Sequence, residues 1–152
     1  MAKSLSPIAR DTDADWQEIG RSQPFWGVLT HPEFRRENIN AESLAAFYAT
    51  GVDFIASVIA EFERIAGAPF HARTALDFGC GTGRLTEAMT AYSDKAIGYD
   101  ISPGMLQEAR ARCAGNATYT DQLPEGPFDW INSFIVFQHI PPERGSRWWS
   151  NF

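Results

Sequence analysis

The sequence is poor in lysine, and this shortage limits the partners it could bind. Only two lysines occur, Lys3 and Lys95, and the formal net charge at pH 7 is −6. Binding to a nucleic-acid backbone requires clustered cations. The nearest approach to such a cluster is Arg35-Arg36, which glutamates flank on both sides. We therefore expect no nucleic-acid partner.

Cysteine and long apolar runs are also scarce. The two cysteines, Cys80 and Cys113, are far apart and form neither a metal-ligand spacing nor a disulfide framework. No apolar run comes near the roughly 20 residues that cross a bilayer, and the stretch MAKSLSPIARDTDADW lacks the apolar centre of a secretory signal. The composition and the length of 152 residues predict one cytoplasmic domain without membrane contact.

A long helix is predicted over residues 41 to 66. Apolar residues recur there at every third or fourth position, as on one face of a helix. Asn40 suits the N-cap, and Gly67 suits the C-terminal stop. The preceding segment, residues 16 to 34, is dense in aromatic residues and is interpreted as a short helix followed by an ordered loop.

Beyond residue 69 the pattern changes to alternating strands and helices. Strands are predicted over residues 74–78, 96–100, 117–120 and 128–134, and helices over 83–92 and from Pro103 to about Cys113. Such alternation indicates parallel strands with right-handed crossovers, hence an α/β sheet. We divide the single domain into residues 1–68, the aromatic segment and core helix, and residues 69–152, the sheet-forming part.

A glycine-rich loop, within ALDFGCGTGRLTEAM, follows the first predicted strand. Ligands of open parallel sheets bind at the carboxyl ends of the strands, where this loop lies. A nucleoside triphosphate would require a Gly-Lys pair, and the sequence contains none. A dinucleotide would require a third small residue where Arg84 stands, so Gly79 and Gly81 match that motif only in part.

S-adenosylmethionine is the third candidate ligand. It has no phosphates, so bare backbone at a G-x-G-x-G loop is sufficient for its close approach. A second marker is an acidic residue that ends the second strand and accepts hydrogen bonds from ribose hydroxyls. Asp100 stands about 20 residues beyond Asp77, which is the spacing expected of such a residue. Dinucleotide enzymes share this marker, so the loop is what distinguishes the two classes.

Three stretches, LDFGCGTGRLT, IGYDISPGML and FDWINSFIVFQHIP, together resemble the class I S-adenosylmethionine-dependent methyltransferases. They cover residues 74 to 142 in order and at suitable spacing. The resemblance implies a Rossmann-like, doubly wound parallel sheet preceded by an N-terminal helical cap. It also implies S-adenosylmethionine as cofactor and methyl transfer as the activity.

The resemblance further implies a set of cofactor contacts. Asp77 would organise the amino end of the methionine part, and Asp100 would hold the ribose hydroxyls. The close-approach loop would comprise Gly79, Cys80, Gly81 and Gly83. Contacts to the adenine would come from Ile101, Met105 and Asp121, and Ser133 would line the methionine side. Asp121 could instead be a solvated loop residue, and Arg84 is expected to reach a neighbouring carboxylate rather than the cofactor.

The residues for the acceptor are less constrained by the sequence. His139 could serve as a base if the acceptor must lose a proton, although it could equally be a structural histidine that fixes a turn. Glu143 is a weaker candidate. Phe25 and Trp26 could face the acceptor from a lid, or they could pack against the long helix. The acidic composition and this aromatic cover favour a small-molecule acceptor.

The sequence departs from the family after the fourth strand, because the fifth strand, its helix and the closing hairpin of the family are absent. The final RGSRWWSNF does not resemble the amphipathic helix expected there, and we interpret the sequence as a truncated or frame-shifted methyltransferase. With four strands in the order 3-2-1-4, the fourth would be an exposed edge through which chains could associate. Its apolar residues are Ile131, Phe134, Ile135 and Val136. The alternatives are a non-catalytic remnant that at most binds the nucleoside cofactor, and a dinucleotide-dependent oxidoreductase.

Overall fold

The computed structural model describes residues 12–113 and 115–149. Within these ranges the helices are α1 (Thr12–Ser22), α2 (Pro24–Val28), α3 (Ala41–Ala66), α4 (Arg84–Met89), α5 (Pro103–Arg112) and α6 (Pro142–Trp149). The strands are β1 (Ala72–Phe78), β2 (Ser93–Tyr99), β3 (Ala117–Thr120) and β4 (Trp130–Asn132). Short 3-10 turns cover Pro32–Phe34, Thr90–Tyr92 and Phe137–His139.

The strands form one parallel sheet in the order β3-β2-β1-β4. Leu76 of β1 lies opposite Ile97 of β2 on one side and Ile131 of β4 on the other. The Rossmann-like α/β class and the order 3-2-1-4 are therefore confirmed. Because all strands run the same way, their carboxyl ends meet at one edge of the sheet, and the glycine loop lies there.

The strand boundaries differ from the predictions at β1, β2 and β4, and β1 begins at Ala72, two residues earlier than predicted. β2 begins at Ser93 because Ala72 pairs with that residue, and the Ser93 hydroxyl donates to the Met89 carbonyl at 2.9 Å. β4 is shorter than predicted. On its N-terminal side the Asp129 carboxylate accepts the Thr74 backbone N–H, and beyond it Ile135 adopts a φ of 60°, which ends the extended run.

Helix α3 packs one face on the rest of the chain. The Asn40 side chain accepts the backbone N–H groups of Glu42 and Ser43, and Gly67 ends the helix in the left-handed conformation. These caps match the sequence prediction. The core includes its residues Phe47, Ile55, Ile59, while the outward residues Val52, Val58, Phe62, Ile65 are exposed.

The same helix corrects the expectation about membrane spans. By length and composition alone, α3 is apolar enough to cross a bilayer, with a mean hydropathy of 1.6 in its most apolar window. One third of that window is buried inside the chain, and the core helix of a globular protein passes the same test. The cytoplasmic location stays a prediction.

The aromatic segment before α3 contains two helices and a 3-10 turn rather than one helix and a loop. Its rings pack edge-on against α3, with the Phe25 and Phe34 centroids 5.3 and 5.2 Å from that of Phe47. This cluster makes the segment part of the core. The division at residue 68 stays a prediction.

Most of the C-terminal stretch lies in α6, although its sequence was not expected to resemble the amphipathic helix of the family. Pro142 occupies the start of the helix, and the Gly145 N–H donates to the Pro141 carbonyl at 2.9 Å. The guanidinium of Arg144 forms a two-armed ion pair with Asp13 of α1. This contact supplies tertiary support that the local sequence does not reveal. Residues 150–152 of the stretch lie outside the described ranges.

β4 lies at the edge of the sheet, as predicted. Ile131 is 37% exposed, Phe134 40% and Ile135 57%. Val136 instead turns toward the glycine loop. Association of chains through this edge stays a prediction.

Candidate functional site

A cavity of about 540 Å³ opens at the carboxyl ends of the strands. Its floor comprises the loop after β1 and the residues that end β2. One side is formed by residues 134–136 and 138–140, which follow β4, and the cover is formed by Trp16 of α1 and by residues 27–30. A cavity of this size fits the range of about 300–1,000 Å³ found for small-molecule sites.

The glycine loop brings bare backbone to the cavity wall. Gly79 and Gly81 have φ values of 76° and 54°, which disfavour any residue with a side chain. A Cβ at Gly79 would lie 2.4 Å from Val136, and one at Gly81 would lie 2.9 Å from Val28. The backbone N–H groups of Gly79 and Cys80 both donate to the Tyr99 carbonyl, at 2.8 and 2.9 Å, and hold the loop on β2.

Gly83, the third glycine, faces away from the cavity. A Cβ there would lie 2.4 Å from the hydroxyl of Tyr119, which itself donates to Glu87 at 2.5 Å. The neighbouring Thr82 carbonyl accepts the Tyr48 hydroxyl of α3 at 2.8 Å. Gly83 therefore allows the loop to pack on β3 and α3.

Asp100 is held by backbone groups on both oxygens. Oδ2 accepts the Gly81 N–H and Oδ1 accepts the Ser102 N–H, each at 2.8 Å. Burial raises the pKa of Asp100, and these backbone hydrogen bonds oppose the rise. The carboxylate therefore has a fixed orientation in the cavity wall, and its oxygens keep lone pairs for a hydroxyl donor.

Asp77 ends up deeper, at only 3% exposure. Thr86 Oγ1 donates to its Oδ2 at 2.6 Å, and Asn132 Nδ2 donates to its Oδ1 at 2.7 Å. Burial is the main cause that raises the pKa of Asp77. Sequence reasoning missed Asn132, although it lies opposite Asp77 in the register of β1 and β4.

Three further predicted residues, Cys80, Ile101 and Met105, line the same cavity. Burial raises the pKa of the Cys80 thiol well above its ordinary value, so the thiol is neutral and gives the wall a small, weakly polar surface. The structure thus brings these residues together with Asp77, Gly79, Gly81 and Asp100. Their contact with a ligand stays a prediction.

Besides Gly83, four predicted residues lie outside the cavity wall. Asp121 is exposed, and Ser133 buries its hydroxyl with no partner among the described residues. Phe25 turns inward onto α3 because its short helix packs there. The Trp26 ring lies beneath the Arg35 guanidinium, with its centroid 5.1 Å from Arg35 Cζ. The cover is instead made by Trp16, Val28 and Leu29.

His139 lines the cavity, and it is also tied to α1. Its ring packs edge-on against Trp16 with the centroids 5.0 Å apart, and its carbonyl accepts the Thr12 hydroxyl at 2.6 Å. The Nε2 atom lies 3.0 Å from Nε2 of Gln138. Glu143 is exposed and lies outside the wall. The structural interpretation of His139 therefore has direct support from its contacts.

Arg84 is a buried cation in the cavity wall, at 6% exposure. Nη1 donates to the Thr50 hydroxyl at 3.1 Å, and Nε has no hydrogen-bond partner among the described residues. Burial lowers the pKa of Arg84, which the charge of Asp77 opposes. The expected ion pair is absent, because no carboxylate of the described chain forms a salt bridge with this guanidinium.

A family model described as a methyltransferase domain matches residues 75–152, just over half of the chain. The chain belongs to the class I S-adenosylmethionine-dependent methyltransferases. S-adenosylmethionine is the cofactor of this family. Membership of the methyltransferase family argues against the alternative of a dinucleotide-dependent oxidoreductase.

The chain matches only part of the length of each curated relative. A trans-aconitate 2-methyltransferase from Methylobacterium nodulans is 43% identical over 72 residues, which cover 43% of this chain and 28% of the relative. A ubiquinone biosynthesis O-methyltransferase from Caulobacter vibrioides is 33% identical over 94 residues, or 54% of this chain and 37% of the relative. The chain thus spans about a third of the length of the curated relatives it matches.

Solved structures share the fold. Magnesium protoporphyrin IX methyltransferase from Synechocystis, crystallised with bound SAM, has a TM-score of 0.60 at 23% identity and covers 96% of this chain and 72% of its own. Phosphoethanolamine N-methyltransferase 1 from Haemonchus contortus has a TM-score of 0.62 at 14% identity. The match covers 92% of this chain and 28% of that one. At these identities the likeness concerns the fold.

Proposed function

We propose that this chain binds S-adenosylmethionine in the cavity and transfers its methyl group to a small organic acceptor. The observation that carries the proposal is the carboxylate of Asp100, fixed by the Gly81 N–H at the wall of a cavity of about 540 Å³. A fixed acceptor of hydroxyl protons beside a bare-backbone loop suits a nucleoside without phosphates.

On the nucleoside side, Asp100 accepts hydrogen bonds from the ribose hydroxyls. Ile101 and Met105 offer an apolar surface to the base, and the glycine loop lets the ligand approach the backbone. Gly79 and Gly81 both line the cavity, and a Cβ at either would collide with another wall residue, Val136 or Val28, so the absence of side chains there fits this use. Asp121 and Ser133 lie outside this wall, and we leave them out of the proposed set.

On the other side, Asp77 lies where the methionine part would reach. Its hydrogen bonds from Thr86 and Asn132 fix the orientation of the carboxylate, which can attract the ammonium group of the ligand. Such an ammonium would also favour the ionised form of this buried carboxyl. Asp77 is therefore proposed to orient the ligand rather than to transfer a proton.

The cofactor, when bound, supplies a methyl group already activated by the sulfonium. The task of the chain is then orientation and exclusion of water. Trp16, Val28 and Leu29 cover the cavity, and residues 134–136 form the side that an acceptor would meet. Where the acceptor must lose a proton, His139 is the candidate base in the wall.

The size of the cavity and the shortage of lysine support a small organic acceptor. The curated relatives are named for trans-aconitate and for ubiquinone biosynthesis, both of which concern small molecules. We do not assign one acceptor to this chain. The alternative, ligand binding without turnover, is an outcome of the experiment below.

Isothermal titration with S-adenosylhomocysteine tests the proposal, with NAD as the control ligand. We expect micromolar binding of S-adenosylhomocysteine, no binding of NAD, and loss of binding in Asp100→Ala. Circular dichroism and thermal melting establish that the variant is folded. A folded wild-type chain that binds neither ligand would contradict the proposal. Binding without methyl transfer to any acceptor in a screen of small organic acids and phenols would favour the non-catalytic alternative.

A further inference from the structure

Arg84 has a buried positive charge that the described chain leaves without a close counterion. The only carboxylate near it in the cavity wall is Asp77, and the two oxygens of that residue accept hydrogen bonds from Thr86 and Asn132. A buried charge without a partner is costly. The side chain is nevertheless retained at the surface of a cavity where a ligand can reach it.

The position of Arg84 is set by helix α3. Nη1 donates to the Thr50 hydroxyl, and Gly51 allows close approach, since a Cβ there would lie 2.3 Å from the Arg84 carbonyl oxygen and 2.9 Å from its Cγ. Two elements that are distant in sequence thus fix the side chain. A preorganised guanidinium loses little freedom when it binds an anion.

Arg84 lies nearer to Asp77 than to Asp100. The charge of Asp77 opposes the lowering of the Arg84 pKa, whereas the charge of Asp100 does not contribute to it. Asp77 ends β1 and Asp100 follows β2, the neighbouring strand. The cavity therefore has a hydroxyl-binding part at Asp100 and a cationic part at Arg84, beside Asp77.

We propose that Arg84 binds a carboxylate in the part of the cavity beside Asp77. The proposal rests on the proposed function, which places the nucleoside at Asp100 and the methionine part at Asp77, beside Arg84. The carboxylate has two possible sources, the amino-acid part of the cofactor and a carboxylate on the acceptor. A planar guanidinium matches a carboxylate with paired hydrogen bonds.

The surroundings favour a carboxylate over a phosphate. Among the described residues of the wall, the other arginine is Arg144, and its guanidinium is already paired with Asp13. One available guanidinium beside the negative charge of Asp77 suits a singly charged anion. The atom Nε also lacks a partner but is itself buried, so the anion would meet the outer Nη atoms of the guanidinium.

The cofactor source is tested by pairing variants with ligands that differ in one group. S-adenosylhomocysteine has the carboxylate, and S-adenosyl-3-thiopropylamine lacks it. If the cofactor supplies the carboxylate, Arg84→Gln should raise the Kd of the first by roughly 10- to 100-fold and leave that of the second unchanged. Arg64→Gln, an exposed arginine on α3, is the control and should change neither.

The acceptor source is tested with acetate, a minimal carboxylate, by NMR of the Arg84 Nε–H signal. The Arg84→Gln spectrum assigns the signal. A shift with acetate in the free protein that disappears after saturation with S-adenosylhomocysteine assigns the site to the cofactor. A shift that persists in the saturated protein assigns it to the acceptor.

No acetate shift in either state, together with unchanged Kd values, would overturn the inference while leaving the proposed function intact. A wild-type chain that fails to bind S-adenosylhomocysteine but shows the acetate shift would contradict the proposed function and leave Arg84 as a carboxylate-binding residue. Arg84→Lys keeps the charge in the buried position if the glutamine variant does not fold. It should bind S-adenosylhomocysteine with an affinity between wild type and the loss expected for glutamine if the cofactor is the source.

Discussion

The carboxylate of Asp100 accepts the backbone N–H of Gly81 at 2.8 Å, which joins the end of β2 to the loop after β1. The other oxygen accepts the Ser102 N–H, so one side chain fixes the loop, the strand end and the start of α5. The residue proposed to bind the ligand therefore also shapes the site. Effects of its substitution on affinity and on stability should appear together.

Asp100→Asn should weaken both the fold and ligand binding. An amide has one oxygen for two N–H donors, so one of them faces an NH₂ group and loses its acceptor. We expect a loss of about 1–3 kcal/mol in the free energy of unfolding and at least a tenfold rise in the Kd of S-adenosylhomocysteine. Urea unfolding and titration calorimetry measure the two effects. Asp121→Asn, outside the cavity, should alter neither, and wild-type affinity in Asp100→Asn would contradict the role of this carboxylate.

Asp77→Asn should change how stability depends on pH. Burial raises the pKa of Asp77 above its ordinary value of 3.8. The folded chain thus holds this proton more tightly than the unfolded chain. The associated stability is fully present below pH 3.8 and is lost as pH rises through the raised pKa.

We therefore expect the wild type to lose stability relative to Asp77→Asn between about pH 4 and neutral pH. The asparagine can still accept from Asn132 and donate to Thr86, so the local geometry is kept. Urea unfolding of both proteins across this range measures the difference, which should be smallest at the acid end. A difference that does not vary with pH would contradict the raised pKa.

Gly79→Ala should be more harmful than Gly67→Ala, although both glycines have positive φ values. Each substitution costs about 1–2 kcal/mol of backbone strain. Nothing lies within 4 Å of a Cβ at Gly67, whereas one at Gly79 would lie 2.4 Å from Val136. We expect about 1–3 kcal/mol of additional destabilisation for Gly79→Ala from this overlap. Thermal unfolding compares the pair, and equal losses would show that Val136 moves aside freely.

Arg144→Gln should loosen α1 without unfolding the sheet. The ion pair with Asp13 is partly exposed, with the two side chains at 37% and 31%, so its contribution is at most about 1 kcal/mol. We expect up to about fivefold faster hydrogen exchange in α1, with less effect at high salt. Arg21→Gln, which breaks an exposed pair with Glu18 within α1, is the control. Unchanged exchange in Arg144→Gln would mean that the other contacts of α1, which include Trp16, Thr12 and its packing on α5, are sufficient to hold the helix.

The succession of strands and helices and half of the site follow from local sequence, whereas the strand order 3-2-1-4 was predicted from the family resemblance. Asp77, the glycine loop and Asp100 each lie at or directly after the end of a predicted strand in the sequence. Parallel pairing brings the ends of these strands to one edge of the sheet. The left-handed conformations at Gly79 and Gly81 likewise exclude most other residues. These features need no knowledge of distant contacts, which is why the sequence is sufficient to predict them.

Other features depend on partners that are remote in the sequence. Phe25 is as apolar as a lid residue would be, and only the position of Phe47 decides that it turns inward. Arg84 was expected to reach a carboxylate, but its guanidinium donates a hydrogen bond to the Thr50 hydroxyl of α3 instead. The pairing of Asp13 with Arg144 spans almost the whole chain, and no local pattern marks it.

The unequal ladders on the two sides of β1 divide the cavity into parts of different cooperativity. β2 pairs along the length of β1, whereas β4 pairs only over Trp130–Asn132. The wall after β4 therefore relies on a short ladder and on side-chain contacts with α1, α3 and the glycine loop, and segments held in this way can open before the global transition. On warming, the part of the cavity at Asp100 should stay folded longer than the part formed by residues 134–136, so that a bound ligand could leave past a still-folded β1–β2 pair.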